Sequence, residues 1–226
     1  MIIVLLMLAI AVCSYLLGSI NGAIIVSKIY KKGDIRNYGS GNAGSTNVLR
    51  SVGKSAALIT FSWDILKGII AVLIAMFVLG AFLENTENKI EIVNIGKNIA
   101  GLFAIMGHSF PVFYGFKGGK GVATAGAIIA IIDWRVLIFV LLAFIISFVI
   151  KKTVSISSVL AAITFPIATF FITYFIDYKG SLSVSFEYLL IVTAFSLVIG
   201  LFVIIKHKDN IKRMLKGEEK PIFSKK

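Results

Sequence analysis

The stretch Phe116-Lys117-Gly118-Gly119-Lys120-Gly121-Val122-Ala123-Thr124 sets three glycines and two lysines between apolar segments. Glycine lets backbone N–H groups approach an anion with no Cβ in the way, and lysine supplies a mobile positive charge. Such a turn suits a phosphate held at a membrane surface. Gly121 also opens an apolar run whose first amides and dipole favour an anion if it is helical. The spacing is not that of a nucleotide-hydrolysing loop: three residues separate Gly115 from Gly119, and Lys120 is followed by Gly121 rather than Ser or Thr. The plain alternative is a flexible, positively charged loop that only orients the chain in the membrane.

A second group runs from Asp34 to Arg50. Ser40, Asn42, Ser45, Thr46 and Asn47 are short donors and acceptors among Gly39, Gly41 and Gly44, a composition that can wrap a polyoxygen ligand. Arg50 lies one helical turn after Asn47 and is placed to clamp a phosphate bidentately. The competing reading is a solvated turn that caps a helix, with Ser45 or Asn47 as N-cap. A third group is the tail, where His207, Asn210 and Arg213 recur every three residues before Gly217 and Glu219. This is either a polar stripe under a membrane site or an orientation signal. Ser155 belongs to a run of hydroxyls, Thr153 to Ser158, that suits helix caps or ligand contacts. His108 is either a base or a histidine bonded to a helix end, and Pro111 ends that helix. Asp64 and Lys67 are three apart in an apolar run, and they either pair or line a polar cavity, because each is costly in lipid. No Ser/His/Asp triad signature and no metal-ligand cluster of His, Cys and carboxylate is apparent, so neither a metal nor another cofactor is expected.

These groups must be positioned by membrane helices. The chain is 58% hydrophobic with mean hydropathy +0.95, more than a soluble domain of this length carries. Apolar runs near 2–26, 56–80, 95–113, 136–150, 156–176 and 187–205 read as spans, and 121–132 is a shorter one that is tilted or re-entrant. Met1–Val26 reads as an uncleaved span, with Cys13 a buried apolar residue inside it. The net charge of +12 is concentrated. Lys28, Lys31, Lys32, Arg36, Arg50 and Lys54 crowd the first loop. Lys206, Lys208, Lys212, Arg213, Lys216, Lys220, Lys225 and Lys226 crowd the tail. The positive-inside rule puts both in the cytoplasm and the loop of Glu84, Glu87 and Glu91 outside. The expectation is therefore an all-α, polytopic membrane bundle of about seven transmembrane helices, N-out and C-in. It forms one domain over 1–226, with motif loops 27–55, 114–121 and 151–155 and the tail 206–226 on the cytoplasmic side. The basic charge flanks spans without a recognition motif, which argues against nucleic-acid binding.

Taken together and in order, these groups resemble the acyl-phosphate-dependent glycerol-3-phosphate acyltransferases of bacterial membranes, the PlsY family. The resemblance is carried by Gly18-Ser19-Ile20, Gly33 to Arg36, Gly39 to Arg50, Asp64 with Lys67-Gly68, Gly107-His108 with Pro111 to Phe113, Phe116 to Thr124, and His207, Asn210-Ile211, Arg213, Gly217 and Glu219. Asn21 stands where the family usually has Pro, and Ser45 where Ala is common. The resemblance implies acyl transfer from long-chain acyl phosphate to the sn-1 hydroxyl of glycerol 3-phosphate, the first step of membrane phospholipid synthesis. It implies a bacterial plasma-membrane enzyme that works without a protein partner, surrounded by membrane lipids. It further implies catalytic roles for Ser40, Asn47, Arg50, Lys120, His207 and Asn210. Substrate contacts would come from Gly41, Asn42, Lys117, Gly118, Gly119, Gly121, Thr124, Ser155, Arg213 and Glu219. The His-x4-Asp pair of the other glycerol-3-phosphate acyltransferase type is absent, since His108 is followed at that spacing by Phe113 and His207 by Lys212. A transporter of phosphate or organic anions is the alternative of a different class.

Overall fold

The computed structural model describes residues 1–30, 32–84, 87–180, 182 and 184–219. Of the basic residues counted above, Lys31, Lys220, Lys225 and Lys226 lie outside the described residues. The described residues contain helices and no strand, as a chain in hydrocarbon must when its backbone groups are paired internally. They form two compact units, Met1–Ile132 and Asp133–Lys226.

The first unit holds α1 (Ile2–Gly18), α2 (Gly22–Ile29), α3 (Ser45–Ser51), α4 (Lys54–Phe82), α5 (Lys89–Ser109) and α6 (Val122–Ile132). The expected first span is broken rather than continuous. The chain leaves helical geometry after Ser19, and the Asn21 side chain caps α2 by accepting the Ile24 N–H at 3.1 Å. Asn21 Nδ2 also donates to the Ala43 carbonyl at 3.4 Å. Asn21, one of the two departures noted above, is thus a cap that reaches the first loop. Cys13 is exposed on the outer face of α1, not buried as the sequence suggested, because the apolar run of α1 is wider than the face it packs.

Glycines set how closely the helices approach. A Cβ on Gly18 would collide with the Ala104 carbonyl, and one on Gly107 would collide with the Tyr15 carbonyl and lie 2.9 Å from the Ser19 nitrogen. The backbones of α1 and α5 therefore meet directly, as small residues allow in membranes. Helix α6 has 11 residues, about 16 Å of rise against a hydrocarbon core of about 30 Å. Its carbonyl end is met by a side chain: Lys97 of α5 donates to the Ile132 carbonyl at 3.3 Å and to Asn94 Oδ1 at 3.0 Å. A cation at a helix C-terminus is favourable, and this one satisfies backbone that would otherwise need water.

The second unit holds α7 (Trp134–Lys151), α8 (Val154–Ile172), continued as a wider helical turn over Thr173–Tyr178, then α9 (Phe186–Lys206) and α10 (Lys208–Leu215). Asp133 caps α7, and Arg135 donates to Asp133 and, at 2.8 and 2.9 Å, to both oxygens of Asp177. Pro166 sits inside α8 and has no N–H for the Ala162 carbonyl. Gly200 of α9 lies against that carbonyl, where a Cβ would be 2.6 Å from the oxygen. Among the described residues six helices or helix pairs are long and apolar enough to span a membrane, and Val122–Ile132 is shorter. The protein is a multi-pass integral membrane protein.

Gly107→Ala is expected to cost about 2–3 kcal/mol or more by overpacking the α1–α5 contact, read as a lower unfolding midpoint in detergent. Gly80→Ala on α4, where the added Cβ meets nothing within 4 Å, should leave the midpoint unchanged or raise it.

Candidate active site

The first loop is built around Asn47. Gly44 precedes α3 with no side-chain cap, so neither Ser45 nor Asn47 is the N-cap. Asn47 instead turns back from inside α3. Its Oδ1 accepts the Ser40 N–H at 2.9 Å, and its Nδ2 faces the carbonyls of Tyr38 at 2.9 Å, Asn42 at 3.1 Å and Ile35 at 3.3 Å. The side chain is buried, and a Cβ on Gly39 (φ 58°) would collide with its Oδ1. Asn47 is therefore a clasp that shapes the loop, with its amide engaged by backbone. Ser40, Gly41 and Arg50 are exposed and Asn42 is half-buried. Arg50 has no hydrogen-bond or ion-pair partner among the described residues. These are the loop's outward groups.

The second loop is pinned to the end of α5. The N–H groups of Gly118 and Gly119 donate to the carbonyls of Ser109 at 3.2 Å and His108 at 3.1 Å. They close helix-terminal carbonyls that lack intrahelical partners, so these amides are not presented to an anion as the sequence suggested. Glycine is needed here for a different reason. A Cβ on Gly118 would collide with the His108 carbonyl, and one on Gly119 with His108 Nε2, 2.7 Å from the Ala43 carbonyl. Gly121 has φ 77° and leads into α6. Lys117 is exposed and Lys120 half-buried. Thr124, in the first turn of α6, is fully buried, and its hydroxyl has no hydrogen-bond partner among the described residues.

Arg36 joins the two loops. Its Nη1 donates to the carbonyls of Tyr114 at 2.7 Å and Lys117 at 3.1 Å, while Nε and Nη2 hold Asp34 bidentately. The Arg36 hydrogen bonds hold the Asp34 carboxyl below its ordinary range, and Asp34 in turn raises the guanidinium. Beneath the loops Asp64 and Lys67 form the expected pair at 3.0 Å. His108 completes a cluster that the spacing alone did not reveal, with Nδ1 2.9 Å from Lys67 Nζ. Arg36 was legible as a loop charge but not as a strut, since its partners lie about eighty residues on and are carbonyls, which no residue type marks.

In the second unit the sequence-predicted residues meet around Glu219. Asn210 donates to Glu219 Oε1 at 2.7 Å and to Ser155 Oγ at 2.6 Å, and Arg213 Nε donates to Glu219 Oε2 at 2.7 Å. Burial works to raise the Glu219 carboxyl, but hydrogen bonds from Ser155, Asn210 and Arg213 outweigh it and leave the group below its ordinary value. Buried His207 lies against the Val203 carbonyl, with Nδ1 at 2.7 Å. Four of the five residues therefore fold the tail onto the start of α8.

The first unit thus carries two glycine loops braced by one arginine, Arg36, in a multi-pass membrane protein. The family model for glycerol-3-phosphate acyltransferase matches residues 8–217. A glycerol-3-phosphate acyltransferase of Thermoanaerobacter pseudethanolicus is 37% identical over 215 residues, 95% of each chain. One from Prochlorococcus marinus is 41% identical over 209 residues, 92% of this chain and 94% of the relative. The crystal structure of PlsY (YgiH), an integral membrane glycerol 3-phosphate acyltransferase, in its glycerol 3-phosphate form superposes with TM-score 0.76 at 35% identity, covering 96% of both chains. Its lysophosphatidic acid form gives TM-score 0.73 at 34% identity. The chain belongs to the glycerol-3-phosphate acyltransferase family.

Asn47→Ala strands the Ser40 N–H and the carbonyls it faces, and is expected to cost about 3 kcal/mol, read by unfolding in detergent. For Glu219 the folded value lies below the ordinary 4.5, so its contribution is complete above that value and is lost as pH falls through the lower folded value. Tail proteolysis should be flat from neutral pH down to about 5 and rise below about 4, while Glu219→Gln should raise it already at neutral pH.

Proposed function

We propose that this protein transfers a long-chain acyl group from acyl phosphate to the sn-1 hydroxyl of glycerol 3-phosphate, giving lysophosphatidic acid and inorganic phosphate. The observation that carries this reading is the family match over residues 8–217, which takes in both loops and the tail as far as Gly217 in one stretch. The solved neighbour's glycerol 3-phosphate and lysophosphatidic acid forms support that substrate and product. For the donor, acyl phosphate is already an activated mixed anhydride, so transfer needs no covalent acyl-enzyme. The glycerol oxygen attacks the acyl carbonyl carbon, the bond from that carbon to the phosphate oxygen breaks, and phosphate leaves with its electron pair.

Lys120, with Lys117, Gly121 and Thr124, holds the phosphate of glycerol 3-phosphate; Gly118 and Gly119 fix the turn that carries them. Arg50, Ser40, Gly41 and Asn42 bind acyl phosphate and the charge growing on its leaving group, on a loop shaped by Asn47. Holding both substrates together supplies much of the rate. The hydroxyl proton goes to a substrate phosphate oxygen or to His207. In His207 the carbonyl of Val203 can only accept, so Nδ1 carries the proton and the basic lone pair is on Nε2. Ser155, Asn210, Arg213 and Glu219 order the tail that carries it. In this reading the chemistry lies on the cytoplasmic side of a bacterial plasma membrane, which the basic first loop and tail support, and 1–226 acts as one domain without a protein partner.

Purified protein offered labelled glycerol 3-phosphate should make lysophosphatidic acid from palmitoyl phosphate and not from palmitoyl-CoA; product from the CoA ester alone would replace the donor. Lys120→Ala should raise the KM for glycerol 3-phosphate about tenfold or more, the loss of a hydrogen bond to a charged group. An inactive Lys120→Ala variant with unchanged glycerol 3-phosphate affinity would overturn that assignment.

A further inference from the structure

Lys67 is fully buried in α4, yet its ammonium has three neighbours. Asp64 Oδ1 lies at 3.0 Å, His108 Nδ1 at 2.9 Å and the Ile20 carbonyl at 3.2 Å. That carbonyl lies in the break between α1 and α2, so it has been released from helical pairing. Asp64 Oδ1 is also 3.3 Å from His108 Nδ1. An ammonium has donors and no acceptor. With Lys67 charged, the shorter contact is the ammonium donating to a bare Nδ1 lone pair; the neutral ring then carries its proton on Nε2, and the ammonium, from which both groups accept, separates that lone pair from Asp64 Oδ1. An imidazolium would set an N–H against the ammonium. Nε2 is the ring atom that faces the second loop, because it is the atom a Cβ on Gly119 would strike. In His207 the logic is reversed and the proton is on Nδ1. The chain has two histidines, and the hydrogen-bond partners around them select opposite tautomers.

We propose that Asp64 and Lys67 are positioning residues that hold His108 as its Nε2–H tautomer, and that His108 thereby fixes the Gly118–Gly121 turn in the form that receives the phosphate of glycerol 3-phosphate. This rests on the reading of that loop as the glycerol 3-phosphate subsite. Stability is a weak reason for such a cluster, since a buried ion pair is often no better than well-packed apolar side chains and charge is costly inside a membrane. What the cluster adds is direction. The lysine, held by a carboxylate one helical turn before it, decides which histidine nitrogen is bare, and the other nitrogen is the one turned to Gly119.

The full chain, labelled with 15N-histidine and held in detergent at about pH 8, where an unperturbed imidazole is neutral, is read by two-bond 15N–1H correlation. One ring should show the Nε2–H pattern and the other the Nδ1–H pattern, with His108→Asn assigning the first. Lys67→Met should abolish the pure Nε2–H pattern and leave the His207 ring unchanged. If the lone Asp64 charge unfolds that variant, Asp64→Leu/Lys67→Met removes both charges at similar volume and is read the same way. In kinetics, His108→Gln, whose amide ends near the Nε2 position, should keep the glycerol 3-phosphate KM within about threefold, and His108→Asn, whose amide ends near Nδ1, should raise it about tenfold or more. In both, kcat should stay within about threefold. A wild-type His108 found as Nδ1–H or as imidazolium overturns the proposal, as does the same KM in the Gln and Asn variants. A wild type without acyl transfer would refute the proposed function instead, and the tautomer measurement would still decide the network.

Discussion

The first unit depends on giving one buried ammonium enough partners. Lys67 has no access to water, and a charge in that setting is tolerated only when its surroundings answer every donor. Its neighbours come from three places: Asp64 on its own helix, His108 at the end of α5, and a carbonyl released where α1 breaks into α2. The break, the helix end and the long helix α4 are thereby tied to one point. Trp63 donates to the same Ile20 carbonyl at 2.9 Å, so the break is held from two sides.

From that point the order passes outward through backbone. His108 offers its carbonyl to Gly119 and its ring to the space where a side chain on Gly119 would go. Ala43, in the first loop, borders the same space and is held in turn by Asn21. Arg36 then fastens the first loop to the second across Tyr114 and Lys117. The polar residues of the two loops thus divide into a set that builds the loops and a set that is left facing outward. Asn47, Arg36, Gly118 and Gly119 are builders, and Ser40, Arg50 and Lys117 are exposed.

The division explains what could be read from the sequence. Hydropathy located the spans because lipid admits few alternatives to a helix, and the short 121–132 run was visible as too short. The spacing of Asp64 and Lys67 put them on one helix face, where pairing was one of two readings, and they pair. Their third partner was hidden because His108 is forty-one residues from Lys67 and nothing in periodicity links α4 to the last turn of α5. The glycines were recognised as a phosphate-like loop, but composition does not distinguish an amide that faces a ligand from one that closes a neighbouring helix. Asn47 and Glu219 belonged to the right groups; that they bind their own loop and tail depends on backbone placement, which residue type does not encode.

The pinning of the glycine turn has a bearing on how the loop meets an anion. With Gly118 and Gly119 already bonded to α5, little of the turn remains to be ordered when a ligand arrives, so association forfeits little chain entropy. In the proposed anion site the attraction would then come mainly from lysine ammonium groups rather than from a nest of amide dipoles. Exposed point charges are screened within about 8–10 Å at ordinary ionic strength. If the proposed reading of this loop holds, its grip on an anion is tuned by the electrolyte beside the bilayer: tighter in dilute salt, and in competition with anionic lipid heads.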